Sequence, residues 1–199
     1  MGLKIGLTGG IASGKSTASN YLREKGIPVV DADLIARQAV EKGMPAYTEI
    51  IKAFGESILN PDHTINRSYL GDIIFKDEEK RKVLNSIVHP AVRKEMNRQA
   101  ETYLNGGSRS VVLDIPLLFE SQLTHMVDKT LLVFVSPQVQ MQRLISRDPL
   151  TEEQAAARIS SQMPLEDKIK LSDAVIRNDG TKDELYRQID GILREWNII

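Results

Sequence analysis

Residues 9–16 are the part of the chain whose residue types and spacing indicate chemistry most directly, because they match the pattern G-x-x-x-x-G-K-[ST]. Glycines let the backbone curl so that several N–H groups point at phosphate oxygens. A helix that begins near Gly14 would add the positive end of its dipole. Lys15 would then reach the β- and γ-phosphates, and the Ser16 hydroxyl could ligate Mg²⁺. The segment therefore predicts a phosphate-binding loop, and a glycine-rich turn that merely precedes a lysine is the weaker interpretation.

Two carboxylates, Asp31 and Asp33, follow the next predicted strand, at the edge of a parallel sheet where the phosphate loop is also expected. A carboxylate in that place can accept the proton of an attacking hydroxyl or hold a metal ion. Asp33 could instead serve only as the cap of a helix that begins at Leu34. For Asp31, a purely structural role is as well supported as a functional one. The residues alone leave these alternatives open.

A group of arginines near residue 150 could act on the same phosphates. Arg143 and Arg147 are four residues apart at the end of a predicted helix, and residues 151–154 form a capping box that opens another. Arg158 and Gln162 are expected to share one face of that second helix. A lid that carries arginines neutralises phosphoryl charge and excludes water. The alternative is an ordinary pair of solvated amphipathic helices.

The composition limits the classes of protein to which the chain can belong. Its 199 residues include 26 Lys and Arg against 27 Asp and Glu, and this balance argues against a dedicated nucleic-acid or membrane-surface binder. The absence of cysteine excludes disulfides and thiolate metal sites, and the three histidines show no metal-ligand spacing. No apolar run approaches the roughly 20 residues of a membrane span, and the N-terminus is unlike a signal peptide, so the expected location is cytoplasmic.

The apolar runs predict an α/β fold with a doubly wound parallel sheet of about five strands. The predicted strands are residues 3–8, 27–30, 110–115, 130–135 and 174–176. They are apolar throughout, as a parallel sheet covered on both faces requires. The main predicted helices are residues 13–25, 34–41, 45–54, 77–88, 90–104 and 182–196. The long helical stretch after the second strand indicates a helical insertion in the sheet.

Several kinds of protein use such a phosphate loop, so other motifs must distinguish them. A GTPase would need the sequences DxxG and NKxD, but no aspartate is followed at the third position by glycine, and residues 178–181 are not NKxD. A motor ATPase often carries an adjacent acidic pair on an apolar strand, whereas Asp114 stands alone at the end of its strand. These absences favour a small-molecule kinase.

Further motifs along essentially the whole chain resemble one kinase family. They are residues 7–17, residues 31–33 with Ala36 and Arg37, His89-Pro90, residues 114–120, residues 142–147 with Arg158 and Gln162, and residues 178–180. In this order they resemble the dephospho-coenzyme A kinase family. Generic phosphate-loop proteins share only the first motif, so the combination is far more specific than any single one.

The resemblance implies transfer of the ATP γ-phosphoryl group to the ribose 3′-hydroxyl of dephospho-coenzyme A, the last step of coenzyme A synthesis. It implies Asp33 as the base, Lys15 and Arg143 as phosphate stabilisers, and Mg²⁺ as the cofactor. The implied ATP-binding residues are Gly10, Ala12, Ser13, Gly14, Lys15, Ser16, Thr17, Arg147, Asn178 and Gly180, with Asn178 and Gly180 near the adenine. The implied acceptor-binding residues are Thr8, Asp31, Asp33, His89, Pro116 and Leu117. Ser16 is the implied metal ligand, with Asp33 or Asp114 as further candidates.

These expectations combine into a single P-loop kinase unit with three parts. The nucleotide-binding core is predicted for residues 1–30, 108–142 and 172–199, the helical substrate-binding insertion for 31–107, and the lid for 143–171. ATP and dephospho-coenzyme A are the expected partners, with no nucleic acid or membrane, and a monomer or small homo-oligomer is expected. One alternative is a kinase of a small hydroxylated acid such as shikimate or gluconate. A second is a non-catalytic, nucleotide-dependent binding module.

Overall fold

A five-stranded sheet forms the centre of the computed structural model, which describes residues 2–199. Its strands are β1 (Leu3–Gly9), β2 (Val29–Asp31), β3 (Ser110–Asp114), β4 (Lys129–Phe134) and β5 (Ala174–Arg177). The strand order is β2-β3-β1-β4-β5, and the pairs β1–β3, β1–β4 and β4–β5 are parallel. The predicted α/β class and the five-stranded sheet are confirmed.

Nine α-helices and two short 3₁₀ turns connect and cover these strands among the described residues. The helices are α1 (Lys15–Glu24), α2 (Ala32–Ala39), α3 (Pro45–Phe54), α4 (Arg67–Lys76), α5 (Glu78–Asn105), α6 (Pro137–Arg147), α7 (Glu152–Ser160), α8 (Leu165–Leu171) and α9 (Lys182–Glu195). The 3₁₀ turns are Glu56–Ile58 and Thr124–Met126. Within residues 2–199, no helix is both long and apolar enough to cross a bilayer.

The chain divides into two compact units. The first unit comprises the chain up to Val30 together with Ala100–Ile199, and it contains the sheet. Its main core lies between the strands and helices α1 and α9, where apolar side chains from both elements are removed from water. The most completely buried members of this core are Leu7, Ala18, Leu22, Val112, Val133, Ile176 and Ile189.

The second unit, Asp31–Gln99, is mainly helical and has a core of its own. The core is built from α3, the first 3₁₀ turn and α4, and its fully buried members are Ile50 and Ile58. Partly buried side chains of α5, including Leu84 and Val88, pack against it. The Tyr47 hydroxyl donates a hydrogen bond to the His63 carbonyl oxygen, which anchors the loop before α4.

Helix α5 corrects the prediction of two helices split at His89-Pro90, because it runs unbroken through Pro90. Proline lacks the N–H that would bond to the carbonyl four residues earlier, and it usually breaks a helix. Here both halves of α5 are held by burial, with Val88 packed against the second unit's core before the proline and Met96 almost fully buried after it. Tertiary packing therefore outweighs the helix-breaking effect of Pro90.

The starts of two other helices also differ from the prediction. Helix α1 begins at Lys15 rather than Ser13, because Ala12 and Gly14 adopt left-handed φ angles of 58° and 86° that no α-helix contains. Helix α2 begins at Ala32 rather than Leu34, and its first turn is capped by Asp31. Both helix starts lie beside residues with a predicted chemical role, Lys15 in α1 and Asp33 in α2.

Candidate active site

The phosphate loop, residues 9–16, runs from the last residue of the central strand β1 into the first turn of helix α1. Its backbone turns through the left-handed φ angles at Ala12 and Gly14. Lys15 and Ser16 then occupy the first turn of α1, where backbone N–H groups have no intrahelical acceptor. A helix N-terminus with free N–H groups attracts anions. The local structure is therefore that of an anion-binding loop.

Three side-chain amides hold the backbone of this loop in place. The Gln140 amide donates to the Ile11 carbonyl oxygen (2.8 Å), and the Gln162 amide oxygen accepts from the Ile11 N–H (2.8 Å). On the other side, the Asn178 amide donates to the Ser13 carbonyl oxygen (2.8 Å). These residues come from α6, from the segment after α7 and from the segment after β5. The loop is thus shaped by the protein itself.

Gln162 was expected to share a helix face with Arg158, but α7 ends at Ser160, so Gln162 lies beyond the helix and bonds to the loop instead. Gln140 was not identified from the sequence, since a single glutamine in a polar helix gives no signal. Asn178 is almost fully buried and bonds to the loop backbone. Its expected place near the adenine stays a prediction.

The closeness of Asn178 explains why glycine is required at position 14. A Cβ added to Gly14 would lie 2.1 Å from the Asn178 Nδ2 atom, and the left-handed φ of Gly14 adds strain for any other residue. Gly10 is similarly confined, because a Cβ there would lie 2.7 Å from the Gln140 Nε2 atom. Both glycines therefore allow amide side chains to approach the loop.

Gly14→Ala is expected to weaken ATP binding by more than tenfold, because the new methyl group must displace Asn178 and release its bond to the loop. Titration calorimetry with ATP would measure the effect. Gly26→Ala is the matched control, since Gly26 has a similar left-handed φ of 79° but no atom within 4 Å of an added Cβ. Gly26→Ala should bind ATP like wild type, and equal affinities for the two variants would contradict the predicted effect of contact with Asn178 at position 14.

Two cationic side chains lie at the phosphate loop. Lys15 forms an ion pair with Asp114, the buried last residue of β3. The Arg143 Nη1 atom would lie 3.9 Å from a Cβ on Gly14, which places its guanidinium beside the loop. Burial would raise the pKa of Asp179, but the hydrogen bond from the Ser136 N–H and the nearby Arg143 charge together hold that pKa below its usual value. The structure therefore brings Lys15 and Arg143 to the same loop.

The other two arginines of the predicted lid are bound elsewhere. Arg147 donates to both carboxylate oxygens of Asp148 (2.9 and 3.0 Å), and Arg158 donates to one of them (3.1 Å). The hydrogen bond from Arg147, assisted by the charges of both arginines, lowers the pKa of Asp148. The predicted capping box is confirmed, with Thr151 and Gln154 bonded reciprocally at the start of α7. Asp148 thus holds Arg147 and Arg158 together next to the end of α6.

A buried ion pair fixes the segment that follows α7. Lys168 is completely buried, and its Nζ atom lies 2.8 Å from the Oε1 atom of Glu120. The same oxygen accepts a hydrogen bond from the Met163 N–H (3.1 Å). Leu165 lies on the phosphate loop, 3.3 Å from the Cβ position of Gly10. Sequence reasoning did not find Lys168, because a lysine within an alternating charged helix normally faces solvent.

The structure distinguishes the two carboxylates at the end of β2, because only one of them caps helix α2. Asp31 caps α2, since its Oδ1 atom accepts a hydrogen bond from the Leu34 N–H (2.9 Å). The interpretation of Asp33 as the cap of this helix is therefore wrong. Asp33 lies one residue inside α2, in its first turn, with its side chain exposed. Because Asp31 makes the cap, the Asp33 carboxylate is available for other contacts.

The remaining candidate residues lie in varied surroundings. Thr8 is fully buried, and its hydroxyl donates to the Pro116 carbonyl oxygen (3.0 Å), so it supports the loop after β3. Leu117, the next residue, is 41% exposed, which leaves an apolar side chain open to a ligand. In the second unit, burial and then the charge of Arg93 lower the pKa of His89, so this imidazole is neutral near pH 7.

Comparison with known proteins identifies the family. The family model described as "Dephospho-CoA kinase" matches residues 3–184. The chain belongs to the dephospho-CoA kinase family. A dephospho-CoA kinase from Bacillus cereus is 57% identical over 199 residues, with both chains covered completely. One from Geobacillus kaustophilus is 53% identical and covers all of this chain and 99% of the relative.

Solved structures agree with this assignment. A dephospho-CoA kinase from Campylobacter jejuni matches with a TM-score of 0.75 at 27% identity, covering 98% of each chain. A protein from Thermus thermophilus gives a TM-score of 0.84 at 34% identity, covering 98% of this chain and 97% of the other. A shikimate kinase from Acinetobacter baumannii gives 0.52 at 15% identity, with coverage of 100% and 97%, which indicates a shared fold only. The family assignment is favoured over the shikimate kinase alternative.

The side chains of this dephospho-CoA kinase family member fit a Mg²⁺ ion that is held partly by substrate phosphates. They do not form a metal centre of protein ligands alone. Within residues 2–199, no group of three or more acidic, histidine or cysteine side chains could hold a metal. Mg²⁺ usually keeps several waters and binds through one or two protein ligands together with substrate phosphates. The exposed Ser16 hydroxyl in the first turn of α1 is a ligand of that kind.

Proposed function

We propose that this chain transfers the γ-phosphoryl group of ATP to the ribose 3′-hydroxyl of dephospho-coenzyme A, giving coenzyme A and ADP. The single observation that carries the proposal is the match to the dephospho-CoA kinase family over residues 3–184. The phosphate loop, with Lys15 and Arg143 beside it, supports ATP as the donor. The reaction is the last step of coenzyme A synthesis.

The proposed reaction needs little covalent chemistry from the protein. The ribose 3′-oxygen attacks the γ-phosphorus, its proton passes to the Asp33 carboxylate, and the bond from the γ-phosphorus to the β–γ bridging oxygen breaks. ADP leaves with the electron pair of that bond. The loop N–H groups, Lys15 and Arg143 stabilise the charge that develops on the phosphoryl oxygens. Positioning and electrostatic stabilisation supply most of the rate enhancement in such transfers.

In this proposal Lys15 exchanges its partner when ATP binds. Lys15 pairs with Asp114 in the structure described here, and a triphosphate in the loop would offer it a stronger anionic partner. Arg147 could likewise leave Asp148 for a phosphate, because its side chain is 55% exposed and Arg158 would remain paired with Asp148. Bound Mg²⁺ would neutralise phosphate charge, held by Ser16 with Asp33 or Asp114 as further candidate ligands. Asn178 and Gly180 remain the proposed neighbours of the adenine.

A coupled ADP-release assay would test the proposed function. Dephospho-coenzyme A, shikimate, gluconate and nucleoside monophosphates would each be offered with ATP and Mg²⁺. Turnover with dephospho-coenzyme A alone is expected, with phosphate appearing at the ribose 3′-position by nuclear magnetic resonance. Turnover of shikimate or gluconate instead would favour a small-acid kinase. ATP binding without turnover of any acceptor would indicate a binding module.

A further inference from the structure

Lys168 is a charged side chain that the proposed reaction does not use, and it is completely buried within α8. Its Nζ atom lies 2.8 Å from the Glu120 Oε1 atom. Within residues 2–199, the ammonium group has no other acceptor. Glu120 belongs to the segment that follows β3, and its side chain is 22% exposed. The pair therefore joins α8 to the segment after β3.

A buried ion pair adds little stability, but it restricts position strongly. The cost of removing two charges from water is similar to the gain from their attraction, so an apolar pair of the same volume is often equally stable. Separating the two charges leaves one of them uncompensated in the interior, which is strongly unfavourable. The Glu120 Oε2 atom is also buried, and it accepts no hydrogen bond within residues 2–199. The position that the pair fixes therefore explains it better than stability does.

Glu120 holds both ends of the segment 163–168. Its Oε1 atom accepts a hydrogen bond from the Met163 N–H (3.1 Å) at one end and pairs with Lys168 (2.8 Å) at the other. Between these ends, Leu165 is buried against Leu132 and other apolar side chains of β4. The segment cannot shift without breaking at least one of these contacts.

The same stretch of chain touches the phosphate loop at two points. The Gln162 Oε1 atom accepts a hydrogen bond from the Ile11 N–H (2.8 Å), and Leu165 lies 3.3 Å from the Cβ position of Gly10. Gln140 binds the Ile11 carbonyl oxygen, so Gln162 supplies the second half of a clamp on one loop residue. A displacement of about 1 Å in a group that positions a substrate can weaken its action by about 10²-fold.

From these contacts we infer that Glu120 and Lys168 are positioning residues for ATP binding. The pair fixes residues 162–168, and this segment in turn fixes the phosphate loop at Gly10 and Ile11. Neither Glu120 nor Lys168 needs to contact the nucleotide, because both act through the backbone of the loop. The inference rests on the proposed function only in that ATP is the ligand of the loop.

Lys168→Met removes the ammonium group and keeps an unbranched side chain that can fill the same space. The partly exposed Glu120 carboxylate would then turn towards water and release the Met163 N–H. The dissociation constant for ATP, measured by titration calorimetry, is expected to rise about tenfold, which is the effect of losing one hydrogen bond that shapes the loop. The melting temperature should also fall.

Thr130→Val is the matched control for the loss of stability. Thr130 is 5% exposed, and its hydroxyl donates to Asp173 (2.7 Å) and accepts from the Asp173 N–H (2.8 Å). These bonds lie near the start of β4, away from the end of the strand that pairs with Gly9 beside the phosphate loop. Valine has a similar shape but cannot form the bonds. The melting temperature should fall, while ATP affinity should stay that of wild type.

The double variant Glu120→Gln/Lys168→Met tests whether the pair acts as a unit. The glutamine amide oxygen can still accept the Met163 N–H bond, and no buried charge is left without a partner. ATP affinity should therefore be closer to wild type than that of Glu120→Gln or Lys168→Met alone. Additive losses of affinity in the double variant would contradict the joint action of the pair.

Gln162→Met tests the contact with the loop even if the Lys168 variants fail to fold. Gln162 is half-buried and uncharged, so its replacement should leave the fold intact. The Ile11 N–H loses its acceptor, and the dissociation constant for ATP should again rise about tenfold. Gln138→Met is the matched control, because it makes the same change at an exposed position of α6 and should bind ATP like wild type.

The outcomes separate this inference from the proposed function. If wild type binds ATP and the Lys168→Met or Gln162→Met variant keeps its affinity, the loop is not positioned in this way and the inference is overturned. It is also overturned if Thr130→Val weakens ATP binding as much as Lys168→Met does. If wild type binds no ATP, the proposed function fails, and the inference fails with it. ATP-dependent turnover of a different acceptor would overturn the proposed function alone.

Discussion

Asp33→Asn is expected to lower kcat with dephospho-coenzyme A by about 10²- to 10⁴-fold, because an amide cannot accept the proton of the attacking hydroxyl. The affinity for ATP should be unchanged. The side chain is exposed in the first turn of α2, and Asp31 supplies the cap of that helix, so folding does not depend on the Asp33 charge. Steady-state kinetics together with titration calorimetry for ATP would measure both quantities.

Glu41→Gln is a suitable control for this substitution. It makes the same change from carboxylate to amide at another exposed position of the second unit. Its kinetics should match those of wild type. If Asp33→Asn turned over at nearly the wild-type rate, the assignment of Asp33 as the base would have to be withdrawn.

Lys15→Ala is expected to weaken ATP binding and to reduce turnover by about 10²- to 10³-fold, since it removes a full charge aimed at the transferred phosphoryl group. This pattern differs from that of Asp33→Asn, which should spare ATP binding. The substitution also removes the cation beside the buried Asp114 carboxylate, so some loss of thermal stability is expected. Melting curves would show whether the fold persists at the assay temperature.

Lys25→Ala provides the matched lysine control. Lys25 forms a comparable pair with Asp190, 3.0 Å apart, but that pair joins α1 to α9 and lies at the other end of α1 from the phosphate loop. Its ATP affinity should be that of wild type. A Lys15→Ala variant that bound ATP as tightly as Lys25→Ala would contradict the place given to Lys15 at the phosphates.

The features that could be predicted are those formed by residues close together in the sequence. The five apolar runs became the five strands, because buried parallel strands need continuous apolar side chains. The phosphate loop was recognisable because its glycines and lysine are close in sequence. The capping box at Thr151 was predicted for the same reason, since its partners are only three residues apart.

Features that depend on distant residues could not be predicted. The amides of Gln140 and Gln162 meet at Ile11, far away in sequence, and glutamines on polar helices are common. Pro90 signalled a helix end, but burial of side chains on both sides of it keeps α5 continuous. Asp31 rather than Asp33 caps helix α2, because that helix starts two residues earlier than predicted. Such one- or two-residue shifts at helix ends are the least predictable feature of a sequence.

The Glu120 carboxylate fixes one part of the predicted lid, because it binds both Lys168 and the Met163 N–H. Residues 162–168 are tied down at both ends, by the bond between Gln162 and Ile11 and by the pair between Lys168 and Glu120. Breaking the buried pair would leave an unpaired charge away from water. Residues 162–168 should therefore keep their position while ATP enters and ADP leaves. Any movement of the predicted lid is therefore expected in the residues ahead of Gln162, which include α7.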